Sequence, residues 1–279
     1  MQFTQLASPH EAGVNDVAFD YYGKRLASCS SDKRIKIYDF IEKSREWDIH
    51  DISRAHDGVI WRLSWAHPEF GQILASCSED QTVHIYEEQE SVSTRSDGKE
   101  SKWLRKAQLL DSQKAVKDVK FAPRHDGLKL AAASAEGVVR IYTADDIFNL
   151  NIWTLQDTLK IYPVENVAGG DSESSEHGLT CCSWNDSPFE PAKLVLGGYA
   201  KRVSIWTCDS ANKWKQECVL EESEFVIHDV AWAPSMGRTY HLIASANRTN
   251  VVTVHRVKRL NNGSVEPGSN ERLECPSPV

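Results

Sequence analysis

The sequence predicts an all-β fold, a β-propeller of five recognisable blades whose ring is open or incomplete. Three repeated strands carry that prediction. First strands end on pairs two residues apart, hence on one strand face: Val17/Phe19, Leu63/Trp65, Val119/Phe121, Cys182/Trp184 and Val230/Trp232. Second strands are built from small residues and begin at Leu26, Leu74, Leu130, Leu194 and Ile243. Third strands alternate apolar and polar residues through Ile35/Ile37, Val83/Ile85, Val139/Ile141, Val203/Ile205 and Val252/Val254, each followed by Tyr, Trp or His.

The third-strand markers Ile37, Ile85, Ile141, Ile205 and Val254 lie 48, 56, 64 and 49 residues apart in turn. A strand-rich repeat of ~40–45 residues is the signature of WD repeats, with the excess falling in loops. The naming dipeptide survives weakly, as Tyr38-Asp39, Tyr86-Glu87 and Trp206-Thr207. The propeller is thus assigned to residues 1-260, with blades at about 11-54, 56-110, 113-162, 178-220 and 224-258. Residues 261-279 are assigned to an irregular C-terminal tail in which the repeat does not return.

Element by element, residues Gln2 to His10 read as a short strand ahead of blade one, whose first corner turns at Gly23. Blade two follows, with a polar, exposed excursion from Glu87 to Ser101 and an outer strand from Lys102. In blade three Glu136-Gly137 marks a hairpin, and Asp145 to Leu150 reads as a brief helical turn before an outer strand around Trp153. Residues Pro163 to His177, rich in Gly, Ser and Glu, have nothing to bury and are expected to be mobile. Blades four and five then complete the series.

Charge narrows the function. Asp and Glu number 40 against 32 Lys and Arg, a net −8, so phosphate backbones and anionic lipid are repelled and no direct nucleic-acid binding is expected. There is no apolar run of ~18 residues and the N-terminus lacks a signal-peptide pattern, so a soluble, non-secreted chain with no membrane insertion is expected. Seven cysteines, with Cys29 and Cys77 at matching places in consecutive blades, fit reduced packing residues better than a bridge framework.

Several constellations resemble chemistry. His56, Ser76 and Asp80 are the residue types of a hydrolase triad, but no elbow turn of the GxSxG kind accompanies them, and they read as a structural hydrogen-bonded blade cluster. Asp16, Asp118 and Asp229 recur at one repeat position and are expected to satisfy backbone donors in turns. Adjacent Cys181-Cys182 point to opposite faces, and neither Cys-x-x-Cys nor a phosphate loop is present, so no metal, cofactor or enzyme activity is expected. Arg34, Lys201 and Arg202 sit in second-to-third-strand turns without recurring in every blade, which disfavours a peptide-reading receptor.

The runs WAHPEFGQILASCSEDQTVHIYEE, LLDSQKAVKDVKFAPRHDGLKLAAASAEGVVRIYTADDIFNLNIWTLQ and VIHDVAWAPSMGRTYHLIASA resemble the Seh-type WD-repeat nucleoporins, a sister family of the COPII outer-coat propeller. The resemblance covers about Gly13 to Val257. It implies an incomplete six-bladed propeller, closed by a blade inserted from an α-helical scaffold nucleoporin of the Y complex at the nuclear pore. Through the same family it implies a place in the SEA/GATOR assembly on the vacuolar or lysosomal surface. The expected sixth repeat is absent here. Val14, Val17, Phe19, Ile35 and Ile37 of blade one are the residues expected to flank the inserted blade. A COPII-like coat subunit and a peptide-reading receptor are the alternatives.

Overall fold

Short alternating runs broken by Asp, Ser and Gly dictate short antiparallel strands joined by tight turns. The computed structural model describes residues 10–42, 45–91, 100–160, 179–235, 237–247, 249, 251–260 and 263–274. It contains five four-stranded sheets, each with its strands in chain order. The first holds β1 (Val14–Phe19), β2 (Arg25–Ser30), β3 (Ile35–Ile41) and β4 (Glu46–Ile52). The second holds β5 (Ile60–Trp65), β6 (Ile73–Ser78), β7 (Val83–Ser91) and β8 (Glu100–Leu109). β9 (Val116–Phe121), β10 (Lys129–Ser134), β11 (Val138–Thr143) and β12 (Thr154–Lys160) form the third. β13 (Leu179–Trp184), β14 (Lys193–Gly198), β15 (Arg202–Cys208) and β16 (Trp214–Glu222) form the fourth. β17 (Ile227–Trp232), β18 (Tyr240–Asn247), β19 (Val251–Arg259) and β20 (Val265–Glu274) form the fifth. The chain divides into two compact units, Met1–Phe121 with Asp146–Ile152, and Ala122–Asp145 with Trp153–Val279.

Three expectations change. The tail assigned to residues 261-279 carries β20, which pairs with β19 from Val265↔Arg259 to Glu274↔Val251, so blade five reaches Glu274. An outer strand exposed along nearly its whole length needs no apolar alternation, and VEPGSNERLE has none. The excursion after Glu87 is shorter than expected, because β7 runs on to Ser91 and β8 begins at Glu100. Asp145 to Leu150 forms bends and turns, while single 3-10 turns occur instead at Pro68–Phe70 and Arg124–Asp126. The N-terminal strand expected up to His10, but for His10 itself, and the segment Pro163 to His177 lie outside the described residues.

In blades one to four the tight turns between second and third strands share one geometry. Gly137 at φ 80° takes the position held by Lys33, Gln81 and Lys201 at φ 67°, 72° and 60°. Three non-glycine residues therefore accept a left-handed backbone that only Gly137 adopts without a Cβ penalty.

Cores form between successive sheets, and period 2 decides which side chains enter them. In the first unit Ala27, Cys29, Ile35 and Ile37 of blade one pack on Leu63, Leu74, Tyr86 and Trp103 of blade two. In the second unit Ala131, Ala133, Val139 and Ile141 pack on Cys182, Trp184, Leu194 and Trp206. Cys181, Val195, Val203 and Ile205 pack in turn on Val230, Trp232 and Ile243. Cys181 and Cys182 thus enter different cores, as strand alternation requires. In these three cores, the earlier blade offers its small second-strand and β-branched third-strand residues, and the later blade its first strand.

Gly197 fills the place of Cys29 and Cys77, and there is no room for more. A Cβ on it would stand 2.8 Å from Ile227 Cγ2 and 2.9 Å from Val230 Cγ1. Gly197→Ala should therefore destabilise the chain by about 1–3 kcal/mol through overpacking, read as a lower urea midpoint with an unchanged m-value.

Candidate interaction surface

The two faces of blade one are in different states. Across its strands Ala18, Ala27 and Ile37 are in register on the face packed against blade two. Val17 with Ser28 and Lys36, and Phe19 with Leu26, Tyr38 and Ile49, occupy the other face. Val17 and Phe19 are 58% and 60% exposed, and Val14 is exposed beside them. The equivalents of Val17 in the other blades, Leu63, Val119, Cys182 and Val230, are at most 5% exposed. Leu26 is half-buried, whereas Leu74, Leu130, Leu194 and Ile243 are fully buried. Tyr21 and Tyr22, just beyond β1, are exposed too, with Tyr21 edge-on to His67 at 4.7 Å.

Ile35 and Ile37 do not belong to this surface. Both are fully buried in the core shared with blade two. The expected flank of Val14, Val17, Phe19, Ile35 and Ile37 therefore combines two opposite faces; half-buried Leu26 and exposed Ile49 lie on the same face as Phe19, while Tyr38 between them is buried.

Asp16 sits in neither turn nor open face. It lies within β1 at a bulge, where its Oδ2 accepts from the Leu63 N–H of the next blade at 3.0 Å. Asp118 and Asp229 likewise lie within first strands, each accepting from the following N–H, so all three act in strands rather than turns.

The His56, Ser76 and Asp80 side chains form one connected cluster. His56 Nδ1 lies 2.9 Å from Asp80 Oδ2 and Nε2 lies 2.7 Å from Ser76 Oγ. Asp80 also accepts from the Asp57 N–H, the Thr82 N–H and the Thr82 hydroxyl. The geometry matches a hydrolase triad, but Ser76 is fully buried and no substrate reaches its hydroxyl. Its work is to pin the chain ahead of blade two to β6 and the following turn. Blade one repeats it with His10, whose ring nitrogens lie 2.9 Å from Asp32 Oδ2 and 2.8 Å from Ser28 Oγ. His10 was legible from its spacing to Ser28 and Asp32, the spacing of His56 to Ser76 and Asp80 within two residues, once the first cluster was known.

Burial raises the Asp80 carboxyl, but His56 and the surrounding donors outweigh it and hold the group well below its ordinary value. His84, stacked on His56 at 3.9 Å, is pushed down to about 4 by burial and by the neighbouring imidazole. Burial drives the Cys29 and Cys77 thiols upward, which suits packing groups and not nucleophiles. Arg34 pairs with Asp51 at 3.2 Å and Arg202 with Glu222 at 3.1 Å, so neither turn cation is uncompensated. Among the described residues no group of three or more His, Cys, Asp or Glu is placed to hold a metal.

These features define a class, the WD-repeat propellers. The family model for the WD domain, G-beta repeat, matches residues 2–39 and 49–87, the two blades that carry the His-Ser-Asp cluster. Among solved structures, a chain of a mitotic checkpoint complex superposes with a TM-score of 0.63 over 94% of this chain and 66% of its own, at 16% identity, a likeness of fold alone. Nucleoporin seh1 of Schizosaccharomyces pombe is 37% identical over 92% of this chain and 72% of its own length. The Drosophila melanogaster seh1 is 40% identical over 87% and 67%, and Homo sapiens SEH1 36% over 91% and 69%. The chain belongs to the SEH1 family of nucleoporins, WD-repeat proteins that are structural and non-enzymatic. It spans 65% to 72% of the length of the curated relatives it matches.

Two outcomes test the cluster. Ser76→Ala, which leaves the buried His56 Nε2 without its partner, should cost about 1–3 kcal/mol in chemical denaturation. His84 is depressed, so between its unfolded value near 6.5 and its folded value of about 4 the unfolded chain binds the extra proton. Stability should therefore be full above pH ~6.5 and fall as pH drops toward 4, and His84→Gln should flatten that slope in thermal melts across this range.

Proposed function

We propose that this chain is a scaffold subunit of the nuclear pore, held in the Y complex by an α-helical scaffold nucleoporin that lays an inserted blade on the open face of blade one. One observation carries the reading: the Val17 position is solvent-exposed in blade one and buried in blades two to five, and Phe19 beside it is exposed where Trp65 and Phe121 are half-buried and Trp184 and Trp232 buried. Full burial of a Val or Phe side chain is worth ~1.5–3 kcal/mol, so covering Val17, Phe19 and the exposed part of Leu26 contributes roughly 3 kcal/mol to docking. Backbone pairing of an inserted strand would add directional specificity.

The names of the relatives support the pore as the place of work, with localisation at the nuclear envelope and a part in nucleocytoplasmic transport. The same open face would serve a second assembly built on a related helical partner, the SEA/GATOR coat at the vacuolar or lysosomal surface that regulates TOR signalling. One face that admits one partner at a time makes membership of the two assemblies mutually exclusive for any single copy.

A tagged chain purified from cells should bring down a helical scaffold nucleoporin and concentrate at the nuclear rim. Val17→Glu with Phe19→Glu should abolish both while leaving the melting temperature nearly unchanged, because both side chains are already in water. Undiminished recovery of the nucleoporin by the double variant would sink the proposal.

A further inference from the structure

β18 and β19 pair without interruption, so Tyr240 and Leu242 share a sheet face with Val254, Arg256 and Lys258. The opposite face of blade five, with Ile243 and Val257, is buried against blade four. The Arg256 face is less covered: Val252 and Val254 are half-buried, where Val83, Ile85, Val203 and Ile205 are buried.

At the outer end of this face lies an open cleft of about 730 Å³, lined by Tyr240, Arg256, Lys258 and Arg259 on one side and by Pro267 and Ser269 on the other. A register shift lies beside it: His255 pairs with Asn270 but Val257 with Pro267, so Gly268 and Ser269 of β20 stand opposite Arg256 alone, one residue of extra length. Gly268 crosses so close to β19 that a Cβ would stand 2.3 Å from the Arg256 carbonyl oxygen, so the cleft wall depends on that residue.

The lining contains no Asp or Glu, in a chain whose net charge is −8. Arg259 is compensated by the buried Glu190 at 2.8 Å. Arg256 is held over the Tyr240 ring at 3.8 Å and is exposed, as is Lys258. Neither forms an ion pair among the described residues, although Glu266 is in register with Lys258. Blade one shows how a cation at the equivalent corner is met. Arg25 of β2 reaches the Glu88 carboxylate of the next blade, with Nη2 to Oε1 at 2.9 Å.

We propose that the cleft on blade five binds an acidic peptide segment of a partner, whose carboxylates pair with Arg256 and Lys258. A nucleic acid places a charge at every nucleotide and meets the negative remainder of the chain, whereas a short acidic segment places its charges at the cleft alone. The fixed guanidinium on Tyr240 favours a carboxylate approaching in the plane of its fork. The inference stands on blade five and is independent of the pore reading.

The experiment is fluorescence anisotropy of labelled octaglutamate with the full chain at low salt, beside octaglutamine and a single-stranded oligonucleotide of equal length. Octaglutamate should bind, octaglutamine should not, and Arg256→Glu with Lys258→Glu should weaken binding by about tenfold or more. Because both side chains are exposed, the variant should keep its circular dichroism melt; Arg256→Gln with Lys258→Gln, which removes charge without reversing it, should weaken binding less. No binding of octaglutamate, binding untouched by both double variants, or oligonucleotide binding as tight and as sensitive to them would each overturn the proposal.

Discussion

Every blade here must bury two different faces, and it can do so only against two different neighbours. The first-strand Val/aromatic pair of one blade fits the small second-strand residues of the blade before it, as Leu63 and Leu74 fit Ala27, Cys29, Ile35 and Ile37. The same complementarity recurs where Cys182 and Trp184 meet Ala131 and Ile141, and where Val230 and Trp232 meet Val195 and Ile205. A blade lacking one neighbour leaves apolar side chains in water, and blade one does so at Val17 and Phe19. Net stability of a domain is ~5–15 kcal/mol, so an uncovered face of this kind is a substantial fraction of it. In the proposed function, the work of this chain follows from that unmet packing requirement.

The polar framework serves the same end. Asp16 ties β1 to the Leu63 amide of the next blade, Ser64 Oγ accepts from the Phe121 N–H, and Ser183 Oγ accepts from the Trp232 N–H. In these three pairs the first strand is fixed to its neighbour by one side-chain bond to backbone, in a place where an unpaired N–H would cost about 1–3 kcal/mol. The His-Ser-Asp clusters of blades one and two fix the outer corners in the same manner. In the proposed function, these bonds help present the open face of blade one to a partner that mimics a blade.

Much of this was legible in the sequence, because strand periodicity and small-residue second strands are local signals. The blade assignments, the second-strand cysteines and the His56, Ser76 and Asp80 cluster all follow from spacing within one or two strands. What failed required knowing which face a strand turns to which neighbour. Ile35 and Ile37 have the same apolar, alternating character as Val17 and Phe19, and only the pairing of Ala18 with Ala27 and Ile37 separates them. β20 was missed for a different reason: an outer strand exposed to water has no apolar alternation to read. The Arg256 and Lys258 pair is visible as HRVKR, but its meaning depends on alternation holding through β19 and on a register shift in β20 that no local pattern announces.

The central claim is that the Val17 face of blade one is open in the free chain and closed by a partner. Thiol accessibility at matched repeat positions tests it most directly. In Val17→Cys, Val119→Cys and Val230→Cys variants, maleimide labelling followed by peptide mass spectrometry gives the rate at each site. The account predicts rapid labelling at position 17, strong protection at 119 and 230, and protection at 17 once a helical scaffold partner is bound. Equal protection at all three positions in the isolated chain would contradict it.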